Sequence, residues 1–242
     1  EPMLEWVISA CADAGVENIC VVKGFMGEYI DEYLSSRKGK AEIVTVEQKE
    51  SLGTGHAVQQ AIPFLEKDKS GNTLGLCGDA PFIDEETIRS SLEMHEKQNN
   101  AVTVITAELD EPFGYGRIIR TENGISGIVE QKDATDEQKA IKEVNSGAYW
   151  FRTADLVELL GKLDNNNAQG EYYLTDTISI AISEGKNAGA YKSDNADIIK
   201  GANDRKDLLE LNNYARMAVI EKHLANGVEF TCTDGVVIER GV

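Results

Sequence analysis

The sequence predicts an α/β fold built on a mainly parallel sheet with helices on both faces, together with a small β-rich region. Up to Thr106, short apolar runs rich in β-branched residues alternate with segments of helical periodicity. That alternation is typical of parallel strands joined by crossover helices. After Thr106 two strand-like runs follow one another across Asn123-Gly124, which predicts an antiparallel hairpin.

The first half of the chain opens on a helix, because Pro2 suits a first helical turn and Leu4, Ile8 and Cys11 recur at helical spacing. No strand precedes this helix in the sequence. Strands are then predicted at 19–22, 43–46, 73–77 and 101–106, with helices at 27–34, 57–62 and 85–96.

The second half continues with the hairpin strands 117–120 and 125–129, a polar helical insert at 133–141, a strand at 148–151, and helices at 154–163, 175–183 and from Asp204 onward. Residues 1–227 are predicted to form one domain, and 228–242 a linker. Gly235-Val236 and Gly241-Val242 are spaced like the first turn of a hexapeptide β-helix, although a β-turn with a loose tail is the alternative.

Composition narrows the classes of function. With 242 residues, 41% of them hydrophobic, the chain can bury the core of one domain. A net charge of −18 argues against nucleic acid as a standing partner, because neutralising a phosphate backbone needs clustered Lys and Arg. No apolar run reaches membrane-spanning length and no signal-peptide pattern opens the chain, so a cytoplasmic protein with four reduced cysteines is predicted.

The segment from Gln48 to Ala57 is the first candidate site. It follows the apolar run 43–46 and opens a helix, so its glycine turn lies at a helix N-terminus. Free backbone N–H groups there attract phosphate, and Gly53 and Gly55 let a flat base approach the main chain. An ordinary strand-to-helix turn is the alternative.

Two residues are candidate metal ligands. Asp79 directly follows the predicted strand 73–77, and ligands gather at the carboxyl ends of parallel strands. Because a lone carboxylate repels phosphate, a functional Asp79 needs a divalent cation, most naturally Mg²⁺. Asn203 comes just before the last predicted helix, and its amide oxygen could bind a hard cation. For both residues, a helix cap is the alternative.

A third group of polar residues suits a sugar. Carboxylate, amide and glycine N–H groups bind hydroxyls and an acetamido group, and the candidate segments are Gly114-Tyr115-Gly116-Arg117, Glu130, Asn145-Ser146-Gly147 and Gly170-Glu171-Tyr172-Tyr173-Leu174-Thr175-Asp176. Turn chemistry is the alternative for each one alone. Of the histidines, His56 is predicted to pack or cap, and His95 and His223 to be solvated. No Ser-His-Asp or Cys-His arrangement can be assembled.

Taken in order, these motifs resemble those of the bacterial bifunctional N-acetylglucosamine-1-phosphate uridyltransferases, over nearly the whole chain. The matching motifs are Gln48-x-x-x-Leu52-Gly53-Thr54-Gly55-His56-Ala57, Gly78-Asp79-x-Pro81, Gly114-Tyr115-Gly116-Arg117-Ile118, Ile128-Val129-Glu130-x-Lys132-Asp133-Ala134-Thr135, Asn145-x-Gly147 and Asn165-Asn166-Asn167-Ala168-Gln169-Gly170-Glu171-Tyr172-Tyr173-Leu174-Thr175-Asp176.

The resemblance implies a Rossmann-like, GT-A-like nucleotidyltransferase fold. It implies Mg²⁺-assisted attack of N-acetylglucosamine 1-phosphate on the α-phosphorus of UTP, giving pyrophosphate and UDP-N-acetylglucosamine for peptidoglycan synthesis. The implied roles are uracil reading by Gln48, Gly53 and Thr54, Mg²⁺ binding by Asp79 and Asn203, and sugar contacts from Gly116, Glu130 and Asn145, with Tyr173 and Thr175 near the same pocket.

One departure from the family concerns the N-terminus. The family opens with a strand and a glycine-rich loop, Leu-Ala-Ala-Gly-x-Gly-Thr-Arg-Met followed by Pro-Lys, which cradles the triphosphate. The segment from Glu1 corresponds to the family residues just after that loop. Truncation and divergence both remain open, and the chain alone is expected to be inactive. In the family a left-handed β-helix acetyltransferase domain comes next and forms a homotrimer.

Two alternatives to this interpretation stay open. One is a related sugar-1-phosphate nucleotidyltransferase with another base or sugar. The other is a non-catalytic fragment that binds a nucleotide or a sugar.

Overall fold

The computed structural model describes residues 2–39, 41–122, 124–202 and 204–238. The helices are α1 Met3–Asp13, α2 Gly27–Ser36, α3 Thr54–Gln60, α4 Ile62–Leu65, α5 Glu85–Lys97, α6 Asp136–Lys139, α7 Thr153–Leu160, α8 Asp176–Ser183 and α9 Arg205–Ala225, with a 3₁₀ turn at Ala196–Ile199. The strands are β1 Asn18–Lys23, β2 Glu42–Glu47, β3 Asn72–Gly75, β4 Val102–Glu108, β5 Arg117–Thr121, β6 Gly124–Val129, β7 Glu143–Arg152 and β8 Ala188–Lys192.

Strand β7 organises the larger sheet. It pairs antiparallel with β4 on one side and with β3 and β5 on the other. Strand β8 then adds parallel to β4, and β6 adds antiparallel to β5. Strands β1 and β2 form a separate parallel pair. The α/β fold with a mixed sheet is thus confirmed.

The expected parallel majority is wrong for the described strands. Only β1–β2 and β4–β8 pair in parallel. The physical reason is that β7 inserts antiparallel between β3 and β4, which the alternating pattern alone would have placed side by side. It is also longer than the predicted strand 148–151, since it starts at Glu143 and so also reaches β5.

Helices cover both faces of this sheet, as predicted. Tyr149 and Phe151 point to one face and pack with side chains of α7 and α8. Ala148 and Trp150 point to the other face, against α1, α5 and the 3₁₀ turn. The Trp150 indole N–H donates to Ser91 Oγ over 3.0 Å, so even the polar atom of this core residue is satisfied.

The paired strands β1 and β2 are not hydrogen-bonded to the larger sheet. Among the described residues β1 pairs only with β2, and β3 only with β7. A cavity of about 1340 Å³ is lined by both β1 and β3, and by apolar side chains of α1 and α3 such as Ile8 and Val58. The two strands therefore each keep one edge free of main-chain partners in this part of the chain.

Other predictions have mixed outcomes. Asp204 caps α9 as predicted, accepting from the N–H groups of Lys206 and Asp207, both at 2.8 Å. Strand β8, whose Ala-Gly-Ala start has low strand propensity, was not predicted. His95 is not solvated: it is 1% exposed, because it faces Thr103 of β4.

Three further predictions involve residues that the structure does not describe. Asn123 of the hairpin turn, Asn203 and the 239–242 part of the β-helix pattern lie outside the described residues.

The described cysteines are all free thiols. Within 2–39, 41–122, 124–202 and 204–238, no helix is long and apolar enough to cross a membrane.

Candidate nucleotide and sugar site

The glycine turn at the start of α3 is shaped by contacts with a distant segment. Gly53 has φ +106° and ψ 173°, which only glycine adopts readily. The Gly55 N–H donates to the Tyr172 carbonyl over 2.7 Å, and the Tyr172 N–H donates to the Leu52 carbonyl over 2.8 Å. A Cβ added to Gly53 would lie 2.6 Å from the Tyr172 carbonyl oxygen. Both glycines are therefore needed for this close approach.

The three residues predicted to read a base lie together at this turn. The Gln48 side-chain amide donates to the Gly53 carbonyl over 3.1 Å. The Thr54 hydroxyl oxygen accepts from the Leu174 N–H over 3.1 Å. The Gln48 main-chain N–H donates to the Lys23 carbonyl over 2.8 Å. This bond aligns the turn with the end of β1. The turn thus lies at the carboxyl ends of β1 and β2.

The predicted sugar-binding residues also come together. A Cβ on Gly116 would lie 3.3 Å from Glu130 Oε1, so the strand ends of β5 and β6 are in contact there. The Asn145 N–H donates to the Gly116 carbonyl over 2.9 Å. The Thr175 hydroxyl donates to Glu130 Oε1 over 3.3 Å. Residues from β5, β6, β7 and the start of α8 therefore meet around one carboxylate.

Tyr173 lies two residues before Thr175 in the same segment. Its side chain is only 7% exposed, and its hydroxyl oxygen accepts from the Gln169 side-chain amide over 2.9 Å. The Lys132 ammonium also contacts the Gln169 side chain. Gln169 was not singled out by the sequence alone, although it lies within the Asn-Ala-Gln-Gly-Glu motif that was.

Several carboxyl groups lie close to Glu130. Burial raises the pKa of the Glu130 carboxyl, and the nearby Asp176 and Asp133 add to this, while the Thr175 hydroxyl opposes it. Burial also raises the pKa of Asp176. Burial, and then Glu130, raise the pKa of Tyr149 well above its ordinary value. Carboxylates grouped in this way accept hydrogen bonds from hydroxyl groups and repel free phosphate.

Asp79 is exposed two residues beyond the Cys77 that follows β3. A Cβ on Gly201 would lie 3.1 Å from the Asp79 main-chain oxygen, so the segment before α9 runs directly alongside. The Tyr115 hydroxyl donates to the Ile199 carbonyl over 3.3 Å and holds that segment. Because Asn203 lies outside the described residues, its pairing with Asp79 stays a prediction.

The donor set at Asp79 fits a hard cation only as part of a larger coordination shell. The described residues contain no group of three or more His, Cys, Asp or Glu side chains that could hold a metal. An exposed carboxylate fits Mg²⁺, which commonly takes one or two carboxylates and fills its remaining positions with water and phosphate oxygens.

Two neighbouring residues are not available for chemistry. Burial, and then Asp79, raise the pKa of the Cys77 thiol to about 11, so it is not a nucleophile. Arg117, from the Gly-Tyr-Gly-Arg motif, is 1% exposed. Its guanidinium donates to Gln131 Oε1 over 2.8 Å and to the Tyr115 and Lys139 carbonyls. It holds the loop after β6 and cannot reach a phosphate.

Comparison with known proteins places this geometry in context. The chain matches the model of the nucleotidyl transferase family over residues 1–213. It is 43% identical over 242 residues to the bifunctional protein GlmU of Acetivibrio thermocellus, covering 100% of this chain and 51% of that protein. It is 42% identical over 241 residues to GlmU of Streptococcus gordonii, covering 99% of this chain and 51% of that protein. The chain thus spans about half the length of the curated relatives it matches.

Solved structures support the fold. A UDP-glucose pyrophosphorylase complexed with UDP-glucose superposes with a TM-score of 0.71 at 18% identity, covering 92% of this chain and 88% of that one. The apo form of a UDP-glucose pyrophosphorylase gives a TM-score of 0.70 at 18% identity. At this identity the likeness shows a shared fold.

Proposed function

The chain belongs to the nucleotidyl transferase family, and from that premise we propose that it is the pyrophosphorylase part of an enzyme that makes UDP-N-acetylglucosamine. The proposed reaction joins UTP to N-acetylglucosamine 1-phosphate and releases pyrophosphate. One observation carries the proposal. The glycine turn and the segment bearing Tyr173 and Thr175 are hydrogen-bonded to each other, so a base site and a sugar site share one framework.

At the nucleotide end, the proposed base contacts are Gln48 and the main chain of Gly53 and Thr54. The Gln48 amide already donates to the Gly53 carbonyl, so the residue is held in place before any ligand arrives. Such preorganisation reduces the entropy lost on binding. The glycine turn leaves room for a flat ring to lie against the main chain.

At the sugar end, Glu130 and Thr175 lie where hydroxyl groups of a hexose would need an acceptor and a donor. Asn145 accepts from the Gly147 N–H over 2.8 Å through its side-chain oxygen, and its side chain also hydrogen-bonds the Tyr149 hydroxyl. The amide N–H that remains can donate to a carbonyl such as that of an acetamido group. This chemistry favours N-acetylglucosamine 1-phosphate as the acceptor substrate, with Gly116 allowing the close approach.

Between the two ends, the reaction needs alignment and neutralisation of charge more than it needs an acid or a base. Asp79 and Asn203 are the residues proposed to hold Mg²⁺. When bound, the ion would neutralise charge on the phosphates and help orient them. The chain's own contribution is to hold the base, the sugar and Asp79 at the same edge of the sheet.

A second candidate is a sugar-1-phosphate nucleotidyltransferase of other specificity. The fold is shared with a UDP-glucose pyrophosphorylase solved with UDP-glucose, a sugar that lacks the acetamido group. A non-catalytic fragment that only binds nucleotide or sugar is the third candidate. The proposed parent protein works in the cytoplasm on a cell-wall precursor, as a homotrimer through a further domain, and this chain by itself is proposed to be inactive.

Ligand binding separates these candidates without requiring turnover. Calorimetric titration of the 242-residue chain with UDP-N-acetylglucosamine and UDP-glucose, each with Mg²⁺, is expected to give tighter binding of the former. The Asn145→Ala variant is expected to lose that preference while binding UDP-glucose as before. Tighter binding of UDP-glucose by the wild type would favour the second candidate, and binding of neither would contradict the proposal.

A further inference from the structure

Strand β7 contains a bulge within the candidate sugar site. Asn145 lies opposite Thr106 of β4, and Tyr149 lies opposite Val104. These partners are two residues apart on β4, whereas Asn145 and Tyr149 are four residues apart on β7. A regular strand would separate residues four apart by about 13 Å, so the bulge shortens this distance. Because residues two apart on a strand point to the same face, the Asn145 and Tyr149 side chains are neighbours on one face of the sheet.

The bulge also determines which way the Asn145 amide points. Gly147 lies within the bulge with φ +78°, and its main-chain N–H donates to Asn145 Oδ1 over 2.8 Å. A main-chain N–H only donates hydrogen bonds, and in a side-chain amide only the oxygen accepts. The oxygen of this amide therefore faces Gly147, and the NH₂ group points away from it.

The Tyr149 hydroxyl takes one of the two N–H groups. Burial, and then the charge of Glu130, raise the pKa of Tyr149 well above its ordinary value, while a hydrogen bond with the Asn145 side chain opposes this. A bond that favours the phenolate is donated to it, and the donor of an amide is its nitrogen. Tyr149 Oη therefore accepts from Asn145 Nδ2, in agreement with the orientation that Gly147 sets. The second N–H is left for a ligand.

The phenol ring is itself held firmly. Tyr149 is 2% exposed and belongs to the core cluster that packs against α7 and α8. Its ring stacks on that of Phe151, with centroids 5.7 Å apart. Asn145 is only half-buried. The hydroxyl thus lies beneath the site, and it can influence a ligand only through the amide above it.

We propose that Tyr149 is a positioning residue for the acetamido group of the sugar: its hydroxyl holds the Asn145 amide so that the second N–H can donate to the acetamido carbonyl. This rests on the proposed function, in which Asn145 contacts the sugar. A donor that is fixed before the ligand arrives loses less entropy on binding. UDP-glucose carries a hydroxyl in place of the acetamido group and lacks that carbonyl, so it gains less from the fixed donor.

The hydrogen bond can be tested in the wild type without any ligand. In ¹H–¹⁵N NMR spectra of the 242-residue chain, one Asn145 side-chain amide proton is expected to show the weak temperature dependence of a hydrogen-bonded proton. The other is expected to show the stronger dependence of a solvent-exposed proton. In the folded Tyr149→Phe variant both are expected to behave as exposed. Two protons that behave alike in the wild type would overturn the inference, whether or not any variant folds.

Sugar preference is tested by calorimetric titration with UDP-N-acetylglucosamine and with UDP-glucose, each with Mg²⁺. Tyr149→Phe keeps the ring and removes only the oxygen, and is expected to reduce the ratio of the two affinities about three- to tenfold, the effect of one hydrogen bond. In the Asn145→Ala background the same substitution is expected to leave the ratio unchanged, because no amide is left to hold. Circular dichroism and UMP binding, which does not involve the sugar site, show that each variant is folded.

Tyr191→Phe is the matched control. It removes the same oxygen from a tyrosine of β8 that packs against the other core cluster, on the opposite face of the sheet. This variant is expected to keep the wild-type ratio of affinities. An equal fall of the ratio in Tyr191→Phe and Tyr149→Phe would overturn the inference, because general packing would then explain both.

The outcomes separate this inference from the proposed function. If the wild type binds UDP-N-acetylglucosamine no better than UDP-glucose, the proposed function is contradicted and this inference falls with it. If the wild type has the preference and the folded Tyr149→Phe variant keeps all of it, only this inference is overturned. A further fall of the ratio when Tyr149→Phe is added to Asn145→Ala would also overturn it, since Tyr149 would not act through the amide.

Discussion

The main-chain N–H of Gly55 donates to the carbonyl oxygen of Tyr172 over 2.7 Å. This bond joins the turn at the start of α3 to the segment that leads into α8. A Cβ on Gly55 would lie 2.9 Å from the same oxygen and 2.5 Å from Leu163 Cδ1. The two segments therefore fit together only if the turn has no side chain at this position, and changes in one are transmitted to the other.

The turn gives the first prediction. Gly53→Ala is expected to lower the free energy of unfolding by about 2 kcal/mol or more, because it combines an unfavourable backbone conformation with a contact to the Tyr172 carbonyl. Affinity for UMP is expected to fall at least about tenfold, since the turn must shift. Chemical denaturation and calorimetric titration measure the two effects.

Gly185→Ala is the matched control for this substitution. Gly185 also has a positive φ, +73°, but nothing lies within 4 Å of an added Cβ. Gly185→Ala is expected to lower the free energy of unfolding by about 1 kcal/mol through backbone strain alone and to leave UMP binding unchanged. Equal losses of binding in the two variants would mean that global destabilisation, not the shape of the turn, matters.

Glu130 gives the second prediction. Since burial raises the pKa of this carboxyl, the folded state is penalised when the group is charged. Glu130→Gln is therefore expected to raise the free energy of unfolding by about 1 kcal/mol at pH 8. It is expected to weaken UDP-N-acetylglucosamine binding about tenfold, because a charged acceptor is lost.

The sign of the pH dependence tests the cause. Below the pKa of Glu130 in the folded state the wild-type carboxyl is neutral, so the stability advantage of Glu130→Gln is expected to shrink as the pH falls toward 4. Denaturation curves at several pH values measure it, with the exposed Glu122→Gln as control. An advantage that grows toward low pH would contradict this explanation.

The limits of sequence-based prediction are visible in the sheet. Strands β1 to β6 were placed to within a few residues, and the second half of β7 was found, because apolar runs and turn residues mark strands directly. The position of β7 between β3 and β4 could not be read in this way, since pairing depends on contacts between residues far apart in sequence. Strand β8 was missed because small residues carry little strand signal.

In the candidate site, too, local motifs could be recognised in the sequence, whereas side-chain contacts between distant residues could not. Gln48, Gly53 and Glu130 were identified because their motifs are distinctive, and the structure brings each group of residues together. The contacts of the His56 ring could not be predicted, because they depend on side chains across the turn and along α3. Arg117 belongs to a motif that suggested ligand binding, but the residue is buried and holds the loop after β6.

His95 gives the third prediction. Burial, and then the Arg152 charge, lower the pKa of His95 to about 4, while Asp155 opposes this. The neutral ring is favoured in the folded state, so its contribution to stability is complete above the unfolded pKa, near 6.5, and is lost as the pH falls toward 4. Between pH 7 and pH 4 the wild type is expected to lose about 2 kcal/mol more than His95→Gln, measured by urea denaturation. Parallel pH profiles for the two proteins would contradict it.

The metal site gives the fourth prediction. If Asp79 and Asn203 share one cation, Asp79→Asn and Asn203→Ala are each expected to weaken Mn²⁺ binding, used as a spectroscopic probe for Mg²⁺, at least about tenfold. Electron paramagnetic resonance titration measures it. Asp136→Asn is the control, because its side chain is fully exposed and it is far from Asp79 and Asn203 in sequence. Unchanged affinity in Asp79→Asn would remove the metal assignment.

The last prediction concerns activity. The described residues hold candidate contacts for a base, a sugar and a metal, but Arg117, the cation of the Gly-Tyr-Gly-Arg motif, is buried in contacts with Gln131 and main-chain carbonyls and is not available to a phosphate. The cavity between β1 and β3 leaves two strand edges without main-chain partners in this part of the chain. We therefore expect the 242-residue chain, given UTP, Mg²⁺ and N-acetylglucosamine 1-phosphate, to release no measurable pyrophosphate.

A longer chain tests two causes of the expected inactivity, the unpaired strand edges and the lack of a cation available to the phosphates. Adding before Glu1 a strand followed by a glycine-rich loop with Arg and Lys is expected to raise the melting temperature, because the strand can pair with the free edges of β1 and β3. Adding the same strand with Arg and Lys replaced by Ala is expected to give the stability without the activity, since loss of one well-placed donor typically costs about 10²–10³-fold in rate. Pyrophosphate release at an ordinary enzymatic rate from the 242-residue chain alone would show that its own residues already bind the triphosphate.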